Sequence, residues 1–182
     1  MDFSLVLGRS EKDFIQACIA REKWALKVLY EEYYGSLLAV CMRYSNNSDE
    51  AVDILHEGFI KIFKNIGKYQ VGTSLGAWMR RIMVNTAIDY YRKRSRRRTE
   101  DVDEAYNVSS AEPDAIQRLS EQEILKAIQE LSPAYRLVFN LYVIEGYSHK
   151  EIAEMLDITE STSRSNLVKA RLKLQERLKN LK

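Results

Sequence analysis

Apolar residues recur at helical spacing through most of the N-terminal half of the chain. The stretch from Asp49 to Ile66 shows this most clearly, because its large apolar residues fall three or four positions apart. They are Val52, Leu55, Phe59, Ile62, Phe63 and Ile66. Similar spacing predicts helices over Glu11–Ala20, over Lys23–Tyr44 and from Leu75 to about Arg94. Gly67 is a plausible stop for the Asp49–Ile66 helix.

The C-terminal half carries the same kind of pattern. We expect helices over Pro113–Leu131 and from Pro133 to about Glu145, with Ser132 as a cap for the second. A short helix, a turn and a polar helix then fill Ser148–Arg171, and a final helix runs to about Leu178. The chain has only 7 Gly and 2 Pro in 182 residues, and this scarcity of helix breakers favours an all-α fold.

Charge changes abruptly between the two halves. Residues 92–98 read RKRSRRR, whereas residues 99–114 contain six acidic residues and no Lys or Arg. The acidic stretch has few large apolar side chains, so it lacks the means to form a core of its own. We therefore predict two small helical domains, residues 1–96 and 114–182, joined by a flexible acidic linker over residues 97–113.

The overall composition is that of an ordinary globular protein. The net charge is only +2, so any binding of nucleic acid must come from local patches. Cys18 and Cys41 have no CxxC spacing and are predicted to be buried, reduced thiols. The sequence shows neither a signal-peptide pattern nor an apolar run near the ~18 residues of a membrane span. These features favour a cytoplasmic location.

Ser148–Arg171 is predicted to be a helix-turn-helix. Asp157-Ile158 interrupts the apolar pattern, and Thr159 is a good N-cap for the second helix. Leu167 and Ala170 are expected to face inward. The residues left outside are Thr162, Ser163, Arg164, Ser165, Asn166 and Lys169. Such side chains can donate to base edges and phosphates, so the second helix suits a DNA major groove.

The Asp49–Ile66 helix has a second face that is both acidic and apolar. Asp53, His56, Glu57 and Ile60 are separated by three, four and seven positions and so share one side. This mixture suits a partner helix that carries Arg, although a merely solvated face is the alternative.

The helix that begins at Leu75 mixes basic and aromatic residues. Its polar positions are Arg80, Arg81, Asn85, Asp89, Arg92 and Lys93, with Trp78, Tyr90 and Tyr91 among them. Cations with aromatic rings suit melted DNA, where bases stack and phosphates need neutralising. Two alternatives remain open: Trp78 can belong to the core, and the basic run can be a solvated helix end.

Four motifs, in family order, resemble those of bacterial sigma factors of the extracytoplasmic-function (ECF) group, which keep only the second and fourth conserved sigma regions. They are Ala51-x-Asp53-Ile54-x-x-Glu57-x-Phe59-Ile60-Lys61, Trp78-x-x-Arg81-Ile82-x-x-Asn85-x-x-x-Asp89-x-x-Arg92, Leu131-Ser132-Pro133-x-x-Arg136 and Glu151-Ile152-Ala153. The resemblance implies a dissociable subunit that gives core RNA polymerase its promoter specificity, with no catalytic residue, metal or cofactor.

The resemblance also implies roles for the N-terminal domain. Asp53, His56, Glu57 and Ile60 would bind the clamp helices of the largest polymerase subunit, and His56 stands where the family usually has Gln. The loop over residues 68–73 would cradle an unstacked base, with Tyr69 as one wall. The full set implied for the minus-ten element is Tyr69, Trp78, Arg81, Asn85, Asp89, Arg92 and Lys93.

For the C-terminal domain, the resemblance implies contacts with the minus-thirty-five element. The residues are Thr162, Arg164, Ser165, Val168 and Lys169. Residues 161–163 read Ser-Thr-Ser where the family commonly has Gly-Thr-Val, which leaves the promoter sequence open. The acidic linker would thread toward the polymerase active centre, and an anti-sigma factor is the further partner that the group implies.

Two other functions are weighed against this one. A helix-turn-helix repressor or activator acting alone would be a dimer on a palindromic operator, but it leaves the Asp53 face and the acidic linker unexplained. A DNA-processing enzyme needs a nucleophile with its base or clustered carboxylates for metal. His56 and His149 lie in different halves, and Asp53 with Glu57 lacks further ligands nearby in sequence.

Overall fold

The computed structural model describes residues 10–97 and 120–179, except for the side chains of residues 95–97. All regular structure in these two ranges is helical, which confirms the predicted all-α fold. The α-helices are α1 (Glu11–Ile19), α2 (Lys23–Tyr44), α3 (Ser48–Asn65), α4 (Leu75–Arg97), α5 (Glu121–Gln129), α6 (Pro133–Phe139), α7 (His149–Leu156) and α8 (Glu160–Lys179).

The described residues form two compact units. The first contains residues up to Cys41 together with Asp49–Ala87, and the second contains Met42–Ser48 together with residues from Ile88 onward. Residues 98–113 of the predicted acidic linker lie outside the described ranges. The boundaries that we predicted at residues 96 and 114 therefore stay a prediction.

The first unit is built around buried side chains from α1, α2, α3 and α4. Phe14, Leu29, Leu55 and Met79 are each fully shielded from solvent. Cys18 and Cys41 are free, buried thiols as predicted. Burial, with a smaller contribution from the charge of Glu22, raises the pKa of Cys18 to about 11. Such a thiol is protonated and unreactive at neutral pH.

Helix α3 differs slightly from its prediction. It covers Ser48–Asn65, and the chain then tightens into a 3-10 turn over Ile66–Lys68. Gly67 lies inside that turn, so it does not end the α-helix as predicted. Gly58 allows the Met83 side chain of α4 to approach the backbone of α3 closely, because a Cβ at this position would lie 2.1 Å from Met83 Sδ.

Helix α5 of the second unit begins with a capping box. The Ser120 side chain accepts from the Glu123 N–H, and the Glu123 side chain accepts from the Ser120 backbone. The helix therefore starts at Glu121, although we predicted a start at Pro113, which lies outside the described residues. One buried cluster of the second unit joins this helix to α8 and consists of Ala127, Ile128, Leu131, Tyr135, Ala170 and Leu174.

The junction between α5 and α6 is held by a buried arginine. Pro133 occupies the first turn of α6 as predicted, but the Ser132 side chain makes no capping hydrogen bond. Arg136 donates instead to the carbonyls of Ile128 (3.1 Å) and Leu131 (2.8 Å) at the end of α5, where helical carbonyls have few partners within the helix. Burial lowers the pKa of Arg136 to about 10, so it stays charged at neutral pH.

The rest of the second unit carries the predicted helix-turn-helix. Helix α6 passes into a π-helical turn over Asn140–Ile144, and α7 follows. The two helices that we predicted after Asp157 are one continuous helix, α8, of 20 residues. No helix within residues 10–97 and 120–179 is long and apolar enough to cross a membrane.

Candidate polymerase-binding and nucleic-acid interfaces

The exposed face of α3, which we call the α3 surface, consists of Asp53, His56, Glu57 and Ile60. Three of these side chains are exposed and Glu57 is half-buried, while the opposite face buries Leu55, Phe59 and Ile62. Ile60 is 53% exposed, so this face presents an apolar side chain beside its polar ones. The structure thus brings the four predicted residues together on one solvent-facing side.

Neighbouring groups orient the α3 surface. Glu57 pairs with Lys61 at 3.6 Å, and the Tyr30 hydroxyl lies 3.5 Å from His56 Nε2. The Tyr30 ring packs on Phe59, with 4.6 Å between ring centroids. The Glu57–Lys61 pair is partly exposed and adds little stability, so Glu57 can exchange Lys61 for a cation on a partner. Ile60, an aliphatic side chain on the same face as the acidic Asp53 and Glu57, can bind a helix that carries both apolar and basic residues.

The exposed face of α4 carries most of the predicted minus-ten residues. Arg81 and Asn85 are exposed, and Trp78 and Asp89 are half-buried. The helix turns its other side inward and buries Met79, Met83, Val84 and Ala87. Helical spacing therefore presents a guanidinium and an amide side by side, a combination that can contact both phosphates and base edges.

The ends of this face are less open than predicted. The Trp78 ring is half-buried and packs at 5.7 Å against the ring of Tyr69, so it contributes to the fold as well as to the surface. Arg92 is half-buried, and its guanidinium donates to the carbonyl of Met155 within the second unit. Lys93 is exposed. The side chains of residues 95–98 in the basic run lie outside the described part of the chain.

The segment from Lys68 to Thr73, called loop 68–73 below, precedes α4. Tyr69 was predicted to form one wall of a base pocket, but its side chain is only 6% exposed. Its hydroxyl lies 2.7 Å from Glu11 Oε1 and 2.6 Å from the Thr73 carbonyl oxygen. Burial and the contact with Glu11 raise the pKa of Tyr69. Tyr69 therefore supports the loop from its buried side, because its ring packs on Trp78 and its hydroxyl contacts Glu11 and Thr73.

The helix-turn-helix is fixed by local capping. Ser148 and Glu151 form a capping box at α7, and Thr159 Oγ1 accepts from the Thr162 N–H at 3.0 Å at the start of α8. Asp157 takes the left-handed conformation in the turn, with φ of 57°. These contacts confirm the predicted cap at Thr159, and the short polar side chain of Asp157 makes that conformation less costly.

The outer face of α8 has the predicted residues, with one correction. Thr162, Arg164, Ser165 and Val168 are exposed, and Asn166 and Lys169 are half-buried. Ser163, which we expected outside, is fully buried, and its Oγ lies 2.9 Å from His149 Nδ1. It falls in line with buried Leu167, Ala170 and Leu174 at helical spacing. The helical spacing of Ser163 from these residues could have predicted that it is buried, but its polar side chain led us to expect it on the surface.

Two exposed side chains of α8 have chemistry suited to bases. Arg164 pairs with Glu160 at 2.6 Å on the surface, an exposed contact that a base edge or phosphate can replace. Val168 is 56% exposed, and an aliphatic group in a major groove can contact the methyl of thymine. The surface is therefore equipped for both polar and apolar base contacts.

The inner side of the helix-turn-helix contains a group that the sequence analysis missed. His149 stacks on Tyr142, with 4.5 Å between ring centroids and 22° between planes, and it also contacts Ser163. Burial and the positive charge of Arg164 lower the pKa of His149. Within the described ranges, no group of three or more His, Cys, Asp or Glu is arranged to hold a metal ion.

Two family models match this chain. The model of sigma-70 region 2 matches residues 29–97, and that of sigma-70 region 4 matches residues 115–174. The ECF RNA polymerase sigma factor SigE of Mycolicibacterium smegmatis is 32% identical to this chain. The match covers 82% of this chain and 60% of the length of SigE. The ECF RNA polymerase sigma factor EcfG of Rhodopseudomonas palustris is 31% identical over 76% of this chain and 77% of its own length.

A solved structure agrees with these relatives. The sigma factor RpoE of Bartonella quintana, crystallised with the anti-sigma factor NepR, superposes with a TM-score of 0.51 and 27% identity. The match covers 84% of this chain and 96% of that one. The chain thus belongs to the ECF RNA polymerase sigma factors, the regulatory subunits that give bacterial RNA polymerase its promoter specificity.

Proposed function

We propose that each of the three surfaces has a separate task in transcription initiation. The α3 surface binds the clamp helices of the largest subunit of core RNA polymerase. The α4 face and loop 68–73 bind the melted minus-ten strand, and the outer face of α8 reads the minus-thirty-five element. The observation that supports this assignment is that the predicted residues share exposed helix faces: on α8 Leu167 is buried while Arg164 and Val168 face solvent, and on α3 Asp53, His56 and Ile60 are exposed.

Promoter melting needs no chemical step in this scheme. Flipping a base out of the duplex costs a few kcal/mol, which contacts made only with the flipped base can offset. Arg81 and Asn85 are exposed for such contacts, and loop 68–73 adjoins the start of α4. The chain therefore acts by binding alone and is not itself an enzyme, and it works in the cytoplasm where RNA polymerase acts.

An anti-sigma factor is the regulatory partner that we propose. The Bartonella quintana relative was crystallised with such a protein. Exposed Ile60 and Val168 are suitable contacts for a partner that masks the polymerase-binding and DNA-binding surfaces, because covering each aliphatic side chain removes apolar area from water. The acidic linker, by its charge, would mimic nucleic acid in a basic channel of the polymerase.

Run-off transcription tests the proposal. The chain and core RNA polymerase are mixed on a pool of promoter fragments from the source genome, with core polymerase alone as the control. We expect specific transcripts that require both components and share two conserved elements. No transcript, together with tight binding of the chain alone to a palindrome, would favour an autonomous repressor instead.

Replacing Asp53 and Glu57 together with Ala tests the docking role of the α3 surface. Both side chains face outward, so the variant should fold normally and lose core binding by about tenfold or more, as expected for charged pairs at an interface. The measurement is a binding titration with labelled core polymerase. A matched variant, Lys27→Ala with Glu31→Ala, removes an exposed ion pair on α2 and should bind as wild type. Unchanged core binding by the first variant would contradict the assignment.

A further inference from the structure

Glu11, at the first position of α1, reaches across the first unit to loop 68–73. Its Oε1 lies 2.7 Å from the Tyr69 hydroxyl, and its Oε2 accepts from the Gly72 N–H at 3.2 Å. Helix α1 is itself fixed, because Phe14 and Cys18 are fully buried. The carboxylate is therefore a rigid anchor for a loop that lies 58 residues away in sequence.

The loop that Glu11 holds is a tight turn. The Gln70 carbonyl accepts from the Thr73 N–H at 3.2 Å and from Thr73 Oγ1 at 2.7 Å. Gly72 has φ of 90°, the left-handed value that a type II turn requires at its third residue. The Glu11 carboxylate binds the backbone at this residue, and the Tyr69 hydroxyl lies 2.6 Å from the carbonyl of Thr73.

The contacts of Tyr69 join this turn to helix α4. Its hydroxyl lies between Glu11 and Thr73, and its ring packs on Trp78. The side chains of Gln70, Val71 and Thr73 are left exposed on the outside of the turn. The four residues Glu11, Tyr69, Gly72 and Thr73, which we call the Glu11 latch, thus fix the turn from its inner side and leave the outer side open.

We propose that Glu11 is a positioning residue for promoter recognition: the Glu11 latch fixes the shape of loop 68–73, and that shape selects the unstacked base of the minus-ten element. The inference rests on the proposed function of this loop. A loop that selects a base by its backbone and short side chains must hold them in place, and a pre-ordered loop avoids an entropic cost on binding. Hydrogen bonds to a carboxylate are stronger than those to a neutral acceptor, so Glu11 suits this task.

Base selection is the property that the experiment measures. Glu11→Gln keeps the size of the side chain but replaces one carboxylate oxygen, an acceptor, with an amide group. Tyr69→Phe keeps the ring but removes the hydroxyl. Transcription with core polymerase is measured on promoters that carry each of the four bases at every minus-ten position. We expect discrimination at one position to fall on the order of tenfold in both variants, with other positions unchanged.

Two controls separate a latch from a general effect. Glu31→Gln removes an exposed carboxylate of the first unit, one that lies 3.7 Å from Lys27 Nζ, and should discriminate as wild type does. The double variant Glu11→Gln with Tyr69→Phe should lose little more than either single variant, because both changes break one contact network. Larger, additive losses would contradict a shared latch.

The outcomes distinguish failure of the inference from failure of the proposed function. If the wild-type chain supports promoter-specific transcription and both variants select bases as it does, the latch has no role in selection and the inference is wrong. An equal loss on all four bases, matched by a lower thermal midpoint, would also overturn it, since that result describes a purely structural contact. If the wild-type chain supports no promoter-specific transcription, the proposed function itself fails.

Discussion

Loop 68–73 and helix α8 are both proposed to read DNA, yet they are held in place in different ways. Helix α8 begins with a cap from Thr159, three residues from its partner Thr162, and Ser163 contacts His149, 14 residues away. Loop 68–73 depends on Glu11, which contacts Tyr69 and Gly72 at separations of 58 and 61 residues. The start of the C-terminal reading helix is therefore fixed by nearby residues, whereas the N-terminal loop depends on contacts between residues far apart in sequence.

The largest expected effect concerns the burial that orients α8. Leu167→Ala should lower the free energy of unfolding of the second unit by about 2–5 kcal/mol, because it leaves a cavity under the helix. Its neighbour Val168 is 56% exposed, so Val168→Ala should change stability by less than about 0.5 kcal/mol. The free energy of unfolding of both variants is measured by urea denaturation. Equal losses would show that α8 is rotated from the orientation described.

We propose that base reading by α8 depends on Arg164. Arg164→Ala should relax selection within the minus-thirty-five element by about 1–3 kcal/mol if the side chain donates to a guanine by two hydrogen bonds. Arg164→Lys keeps the charge but not the planar fork, and it should also lose selection while retaining general affinity. Competition binding with single-base variants of the element provides the test. Equal loss on every sequence after Arg164→Ala would make Arg164 a phosphate contact.

The cap on α8 gives a smaller effect. Thr159→Ala removes the acceptor of the Thr162 N–H and should cost about 1 kcal/mol of stability. Ser161→Ala, at an exposed neighbouring position, serves as the control and should be close to neutral. Thermal unfolding compares the two variants. A neutral Thr159→Ala would mean that α8 is fixed by its buried side chains alone.

The smallest effect is a dependence on pH. Burial and the charge of Arg164 lower the pKa of His149 below its ordinary value of 6.5. As the pH falls, His149 therefore takes up a proton more readily in the unfolded chain than in the folded chain. Stability from this site is present above pH 6.5 and is lost as pH falls below it, toward the folded pKa. The free energy of unfolding, measured from about pH 5 to 8, should fall more on acidification in wild type than in His149→Gln. Parallel curves would show that His149 is protonated to the same extent in both states.

The same contrast between local and distant contacts explains what the sequence could predict. Helix α2 covers Lys23–Tyr44 as predicted, and the Thr159 cap was found, because helical periodicity and capping are local patterns. The Glu11 latch was missed, since it joins residues 58 and 61 positions apart that no local pattern relates. Ser163 was misplaced because we gave its polarity more weight than its register with Leu167 and Ala170.

We propose that two separate surfaces of this sigma factor read two separate promoter elements. Run-off transcription on a promoter in which every base is varied tests this proposal, with wild type, Asn85→Ala and Arg164→Ala compared in the presence of core polymerase. We predict that Asn85→Ala loses selection only in the downstream element and Arg164→Ala only in the upstream one. Loss at the same positions in both variants, or selection that persists without core polymerase on a single palindrome, would contradict the account.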